Sequence, residues 1–98
     1  MIILENTTDT IQARLSGVVS LNQLPCVTSY RDITNSTFTP GRKLSLTNDT
    51  TDINLVDAPA ASTQRVIDYI SIYNSDTANA TIEIFYDISG VEYMLFHT

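Results

Sequence analysis

Apolar positions along this chain recur mostly at every second residue, in short runs broken by Thr, Ser, Asn and Asp. That is the period of a half-buried β-strand, whose successive side chains point to opposite faces. Residues 11–21 (IQARLSGVVSL) alternate through Ile11, Ala13 and Leu15, and Gly17 then interrupts the run as a bulge or bend would. Asn22 and Gln23 lead into LPCVTSYRDIT. Pro25 near its start suits an edge strand or a strand's first residue, because it has no N–H to give a ladder. Residues 34–41 (TNSTFTPG) read as a loop with Pro40-Gly41 as its turn. A shorter strand is expected over residues 42–47. Another is expected over residues 53–57, with Ile53 and Leu55 on one face and Asn54 and Val56 on the other. Residues 58–63 (APAAST) form a connection of small residues.

The last third carries the strongest pattern. Residues 65–73 (RVIDYISIY) are β-branched and aromatic almost throughout, as in a strand buried on both faces. After the polar connection 74–79, residues 80–86 alternate cleanly, which turns Ala80, Ile82, Ile84 and Tyr86 inward. Ser89-Gly90 closes a hairpin and residues 91–96 return. No segment combines 3.6-residue periodicity, a cap and good helix formers, so no helix is expected. Short strands at a spacing of roughly 8–12 residues predict an all-β, antiparallel β-sandwich, Ig-like or jelly-roll-like. The Pro40-Gly41 signal divides it into an extended N-terminal arm, residues 1–39, and a sandwich body, residues 40–98, which together make one domain.

Length and charge narrow the function more than they narrow the fold. A chain of 98 residues can bury one core, with a thin margin of stability. Its net charge is −6, and the five basic residues are scattered. Nucleic acid and anionic membrane surfaces both need clustered Lys and Arg, so neither is an expected partner. Cys26 stands alone, which excludes an intrachain disulfide and a cysteine-based metal site and fits a buried thiol. The opening MIILENTTDT lacks the basic start and length of a signal peptide, and no run approaches the roughly 20 apolar residues of a membrane span. Synthesis in a cytoplasm without export follows as the expectation. Asn-X-Ser/Thr triplets at Asn6, Asn35, Asn48 and Asn79 arise easily by chance in a chain so rich in Asn and Thr.

Candidate chemistry is sparse. His97 is the only histidine and lies near the end of the chain, with no Gly-X-Ser-X-Gly elbow to present a serine. Cys26 and His97 make a dyad on paper, without supporting spacing. Asp49, Asp52, Asp57, Asp76 and Asp87 sit in or beside turns, where aspartate belongs for backbone reasons. NDTTDIN (residues 48–54) is the best calcium candidate, yet it lacks the spacing and glycine of an EF-hand loop. Three glycines cannot build a phosphate loop. Tyr69, Tyr73, Tyr86 and Tyr93 serve core packing more simply than sugar stacking, because they alternate with Ile. These readings give no catalytic, cofactor or metal site, and a non-enzymatic protein is expected.

Two segments carry a resemblance. APAASTQRVIDYISIYNSDTANATIEIFYD (residues 58–87) resembles a recurring unit of small β-rich virion proteins of tailed bacteriophages. In that unit a Pro-Ala-Ala connection leads into a strand, an SIYNSDT-type turn and a Thr/Ile strand. LNQLPCVTSYRDIT (residues 21–34) is similar to segments that precede it. The resemblance implies a decoration, head-fibre or attachment component of the virion, made in the host cytoplasm, with other virion proteins as partners and homo-oligomerisation. In those proteins a further turn and strand usually follow the final hairpin, whereas this sequence ends at Thr98. The expectation is that the last strand forms an edge or is completed by another copy. In this reading the arm binds the virion or a sister subunit through Leu21, Leu24, Pro25, Val27, Tyr30 and Ile33. Its deletion would abolish incorporation and leave a folded body. The alternative is a tail-associated or surface-displayed adhesion module. It would grip a host glycan or protein with Tyr73, Asn74 and Tyr93.

Overall fold

A computed structural model describes residues 2–98, in which eight strands form two four-stranded antiparallel sheets packed as a sandwich. The all-β sandwich expected from the alternation is the fold observed, and no helix occurs among the described residues. The strands are β1 (Ile2–Leu4), β2 (Asp9–Leu15), β3 (Pro25–Ile33), β4 (Phe38–Leu46), β5 (Ile53–Val56), β6 (Gln64–Ile72), β7 (Ile82–Ile88) and β8 (Val91–His97). One sheet runs β1-β6-β3-β4 and the other β5-β2-β7-β8.

Strand β2 shows how alternation becomes burial. Asp9, Ile11, Ala13 and Leu15 are buried, while Thr10, Gln12 and Arg14 turn outward. Ile11 and Ala13 meet Leu4, Cys26, Leu55, Val56 and Ile67 in the core, with Tyr30, Ile70, Ile84 and Tyr86 packed around them. Each fully buried Leu or Ile contributes about 1.5–3 kcal/mol by leaving water. The last hairpin closes as expected. Ser89 and Gly90 both have positive φ, the two-residue turn whose twist matches that of the flanking strands, and the Gly90 N–H donates to Asp87 Oδ1 at 2.8 Å.

The expected arm is corrected. Residues 1–39 include β1, β2 and β3, strands of both sheets, and they supply Leu4, Ile11, Ala13, Leu15, Leu24 and Cys26 to the buried interior. Cutting at Thr39 would split the β3–β4 hairpin, so removing the segment does not leave a folded body. The reason is long-range pairing: β2 sits between β5 and β7, and β3 between β6 and β4.

The Pro40-Gly41 turn is also corrected. Both residues lie inside β4, opposite Arg31 and Tyr30. The true turn is residues 34–37, where Thr34 Oγ1 accepts the N–H groups of Ser36 and Thr37 at 3.3 and 3.0 Å. Proline is tolerated because β4 is an edge strand. Glycine is required because the Tyr30 ring lies on it: a Cβ at Gly41 would sit 2.7 Å from Tyr30 Cε2.

Three smaller expectations shift as well. The strand read over residues 11–21 ends at Leu15. Leu55 and Val56 are both buried, because the β2–β5 register slips between Ile11 and Gln12 and breaks the alternation. Strand β6 is buried on both faces only at Val66 and Ile67, and Asp68 and Tyr69 are exposed. On β7, Ile84 and Tyr86 do pack on the core, but Phe85 on the opposite face is fully buried too.

Candidate interaction surfaces

Every open sheet ends in edge strands whose unpaired backbone groups invite another chain, and natural proteins blunt them. This sandwich has four such edges: β1, β4, β5 and β8. Two are short, β1 with three residues and β5 with four. Strand β4 carries Pro40, Arg42 and Lys43, which remove a donor and add charge. Strand β8 is blunted less, by Glu92 and a bulge at Leu95 alone. It is seven residues long, contains no Pro, Lys or Arg, and every residue in it is exposed. Tyr93, Met94 and Phe96 remain 56%, 50% and 52% exposed.

The interior face of β8 is apolar and its outer face is mixed. Its ladder with β7 pairs Ile88 with Val91, Tyr86 with Tyr93 and Ile84 with Phe96, so Val91, Tyr93 and Phe96 share the interior face. Glu92, Met94 and His97 lie on the outer face, opposite Asp87, Phe85 and Glu83. Leu95 is the extra residue of a bulge between the Ile84 and Phe85 pairings. Beside β8 the sandwich stays open. Strand β1 pairs with β6 only over Arg65–Ile67, leaving Ile70 and Ile72 to line an apolar cleft with Ile82, Ile84 and Phe96.

On the outer face of this sheet Arg14 anchors β8 to its neighbours. Its guanidinium lies 4.6 Å from the Phe85 ring centroid and reaches Glu83 at 2.8 Å, Glu92 at 3.0 Å and Asp52 at 3.4 Å. The hydrogen bond to Glu92, then that to Glu83, holds the Arg14 proton more firmly than usual. Three carboxylates around one guanidinium leave this face net negative.

The residues expected to form the assembly surface separate. Leu24 is fully buried and cannot contact a partner directly, while Tyr30 is half-buried and packs on the core. Leu21 is exposed on the β2–β3 connection, and Ile33 is half-buried at the end of β3. Pro25 and Val27 lie opposite Leu46 and Leu44, and the four make an apolar strip on the outer face of the first sheet. Leu44 and Leu46 were missed because alternation alone does not say which face is the core; their signal was the Leu-Ser-Leu spacing.

The expected ligand loop does not converge either. Tyr73 is exposed just beyond β6, with its N–H bonded to the Pro25 carbonyl at 3.1 Å. Asn74 is spent on its own loop, donating to the Ala78 carbonyl and accepting from the Asp76 N–H. Tyr93 is on the other sheet, opposite Tyr86.

The aspartates act as backbone clamps. Asp76 accepts the N–H groups of Ser20, Leu21 and Asn22 at 2.9, 2.8 and 3.1 Å, and the Ser20 bond leads in holding its carboxyl down at about 2. Asp49, with positive φ, accepts from the Val19 N–H and from Gln23 Nε2, which lower its pKa in that order. Asp52 turns instead to Arg14, so the calcium candidate's carboxylates diverge. Among the described residues no group of three or more His, Cys, Asp or Glu side chains gathers as a metal site would need. Cys26 is buried between Ile72 and Ser45, and burial pushes its thiol up, away from reactive thiolate. His97 lies on the other sheet.

Set beside known protein families, curated proteins and solved structures, the chain finds no match. Function therefore rests on these surfaces, of which the β8 edge is the least protected.

Proposed function

We propose that this protein is a non-enzymatic structural component of a virion, a small sandwich held in place by protein–protein contact along β8. The observation that carries the assembly reading is the edge itself. A seven-residue strand, exposed throughout, with Val91, Tyr93, Met94 and Phe96 uncovered and only Glu92 and the Leu95 bulge to blunt it, is an aggregation hazard unless another strand covers it. Main-chain hydrogen bonds to such an edge supply affinity, and alternate side chains supply specificity.

The virion context comes from the resemblance of residues 21–34 and 58–87 to small phage virion proteins. In that setting the chain decorates or stabilises the capsid, or anchors a fibre, with other virion proteins as partners after synthesis in the host cytoplasm. The N-terminal strands contribute by building the sandwich, and the contact moves from the supposed arm to the C-terminal edge. The adhesion alternative lacks comparable support, because Tyr73 and Tyr93 stand on different sheets and form no shared platform.

Immunogold electron microscopy of particles from the source, with antibody to this chain, tests the reading. Label over heads supports decoration or fibre anchoring, and label at the tail tip directs attention to attachment. Particles without label would overturn the virion assignment.

A further inference from the structure

The β8 edge carries a feature that selects its occupant. Because Leu95 is an extra residue in the ladder, side-chain alternation flips across it. Val91 and Tyr93 before the bulge share the interior face with Phe96 after it, and Glu92 shares the outer face with His97.

We propose that β8 pairs antiparallel with β8 of a second copy about a two-fold axis between Met94 and Leu95, joining the two β5-β2-β7-β8 sheets into one eight-stranded sheet. This deepens the assembly reading by naming its partner, and rests on it. In this register Tyr93 lies opposite the partner's Phe96, both on the interior face. Glu92 lies opposite the partner's His97, both on the outer face. In a regular strand this register would set inward residues against outward ones, since directly opposed residues must share a face. The bulge removes that conflict.

Although each outer face is net negative, one local complementarity, Glu92 against His97, favours the same occupant. Glu92, Glu83 and Asp52 surround Arg14 alone, so this part of the outer face has carboxylate to spare, and the Glu92 side chain is still 40% exposed. His97 stands at the far end of the strand from Glu92, opposite Glu83 of its own chain. An imidazole N–H can donate to a carboxylate, and the two-fold creates that pairing twice. On the interior face an aromatic pair forms beside the apolar cleft, whose lining includes Phe96.

One strand pair is smaller than the roughly 1,200–2,000 Å² of a standard interface, so the free dimer is concentration-dependent. A repeated assembly strengthens it through effective concentration.

Sedimentation equilibrium from about 10 μM to 1 mM is expected to show a monomer–dimer equilibrium within the range of weak, small interfaces. His97→Glu, which sets carboxylate against Glu92, should weaken the dimer about 3- to 30-fold through its two symmetric sites, and His97→Lys should not weaken it. The register is read by disulfide trapping. Tyr93→Cys/Phe96→Cys should give a covalent dimer on oxidation, and Tyr93→Cys/Leu95→Cys should not. Positions 93 and 96 of one strand lie about 10 Å apart, too far to bridge within a chain. A dimer trapped through 93 and 95, or one indifferent to His97→Glu, overturns this inference. A chain monomeric at 1 mM while its β8 amides are protected on particles also overturns it, yet leaves the assembly reading standing. A monomer with β8 unprotected on particles sinks both.

Discussion

Gly41→Ala isolates the least expected feature of the fold, a Pro-Gly pair in mid-strand. An added Cβ would meet the Tyr30 ring at 2.7, 2.8 and 2.9 Å, well inside the ordinary carbon contact of about 3.5–4.0 Å. The ring has little room to retreat. It packs on the core, and the Arg65 guanidinium lies 4.2 Å from its centroid, held by Asp32 at 2.8 Å. Overpacking of this kind costs about 1–3 kcal/mol. For a domain of this size each kcal/mol moves the Tm by about 4–8 °C, so a drop of about 4–24 °C is expected by thermal unfolding. In a Tyr30→Ala background the clash disappears. There Gly41→Ala should be neutral or stabilise by about 0.5–1 kcal/mol, because alanine loses less backbone freedom in a strand. A Gly41→Ala that is neutral or stabilising with Tyr30 intact would refute the mid-strand placement and restore the turn.

Tyr86→Phe should cost about 0.5–1.5 kcal/mol in urea unfolding, since the hydroxyl accepts the Ile3 N–H at 3.2 Å and ties β1 to the other sheet. An unchanged midpoint would remove that tie from the account. Deleting residues 1–8 removes β1 and fully buried Leu4, whose truncation alone costs about 2–5 kcal/mol of a total near 5–15 kcal/mol. The shortened chain should lose cooperative unfolding or most of its midpoint, and a midpoint equal to wild type would show that β1 and Leu4 are dispensable to the core. Asp76 has a folded pKa of about 2 against an unfolded 3.8, so its contribution is present above 3.8 and lost as pH falls through about 2. Wild type should therefore exceed Asp76→Asn in stability near neutral pH and converge with it near pH 2; a gap constant with pH would contradict the clamp.

How much of this was legible in the sequence follows from what alternation encodes. The inward set Ile11, Ala13 and Leu15, the packing of Ile84 and Tyr86, and the Ser89-Gly90 hairpin are local patterns, and the structure keeps them. The misread parts depend on partners distant in sequence. Gly41 reads as a turn until Tyr30 is laid over it, and residues 1–39 read as an arm until β2 is placed between β5 and β7. Phe85 sits on the nominally polar face and is buried beside Arg14, a cation–π pairing that no periodicity marks. Among the expected assembly residues Leu24 was misplaced for a related reason: it is apolar in either role, and only packing shows it spent inside. The free edge at β8 could be expected from the run of residues 91–96, but its lighter protection stands out only beside the Pro40, Arg42 and Lys43 of β4.

The most direct test of the central claim is hydrogen exchange of the β8 amides, Val91–His97, in dilute free protein and in particles that carry the chain. Amides on the free side of this edge should exchange rapidly in the dilute monomer and become protected on the particle, while those of β2 change little. If β8 exchanges at the same rate in both states, the edge is not where this protein is held.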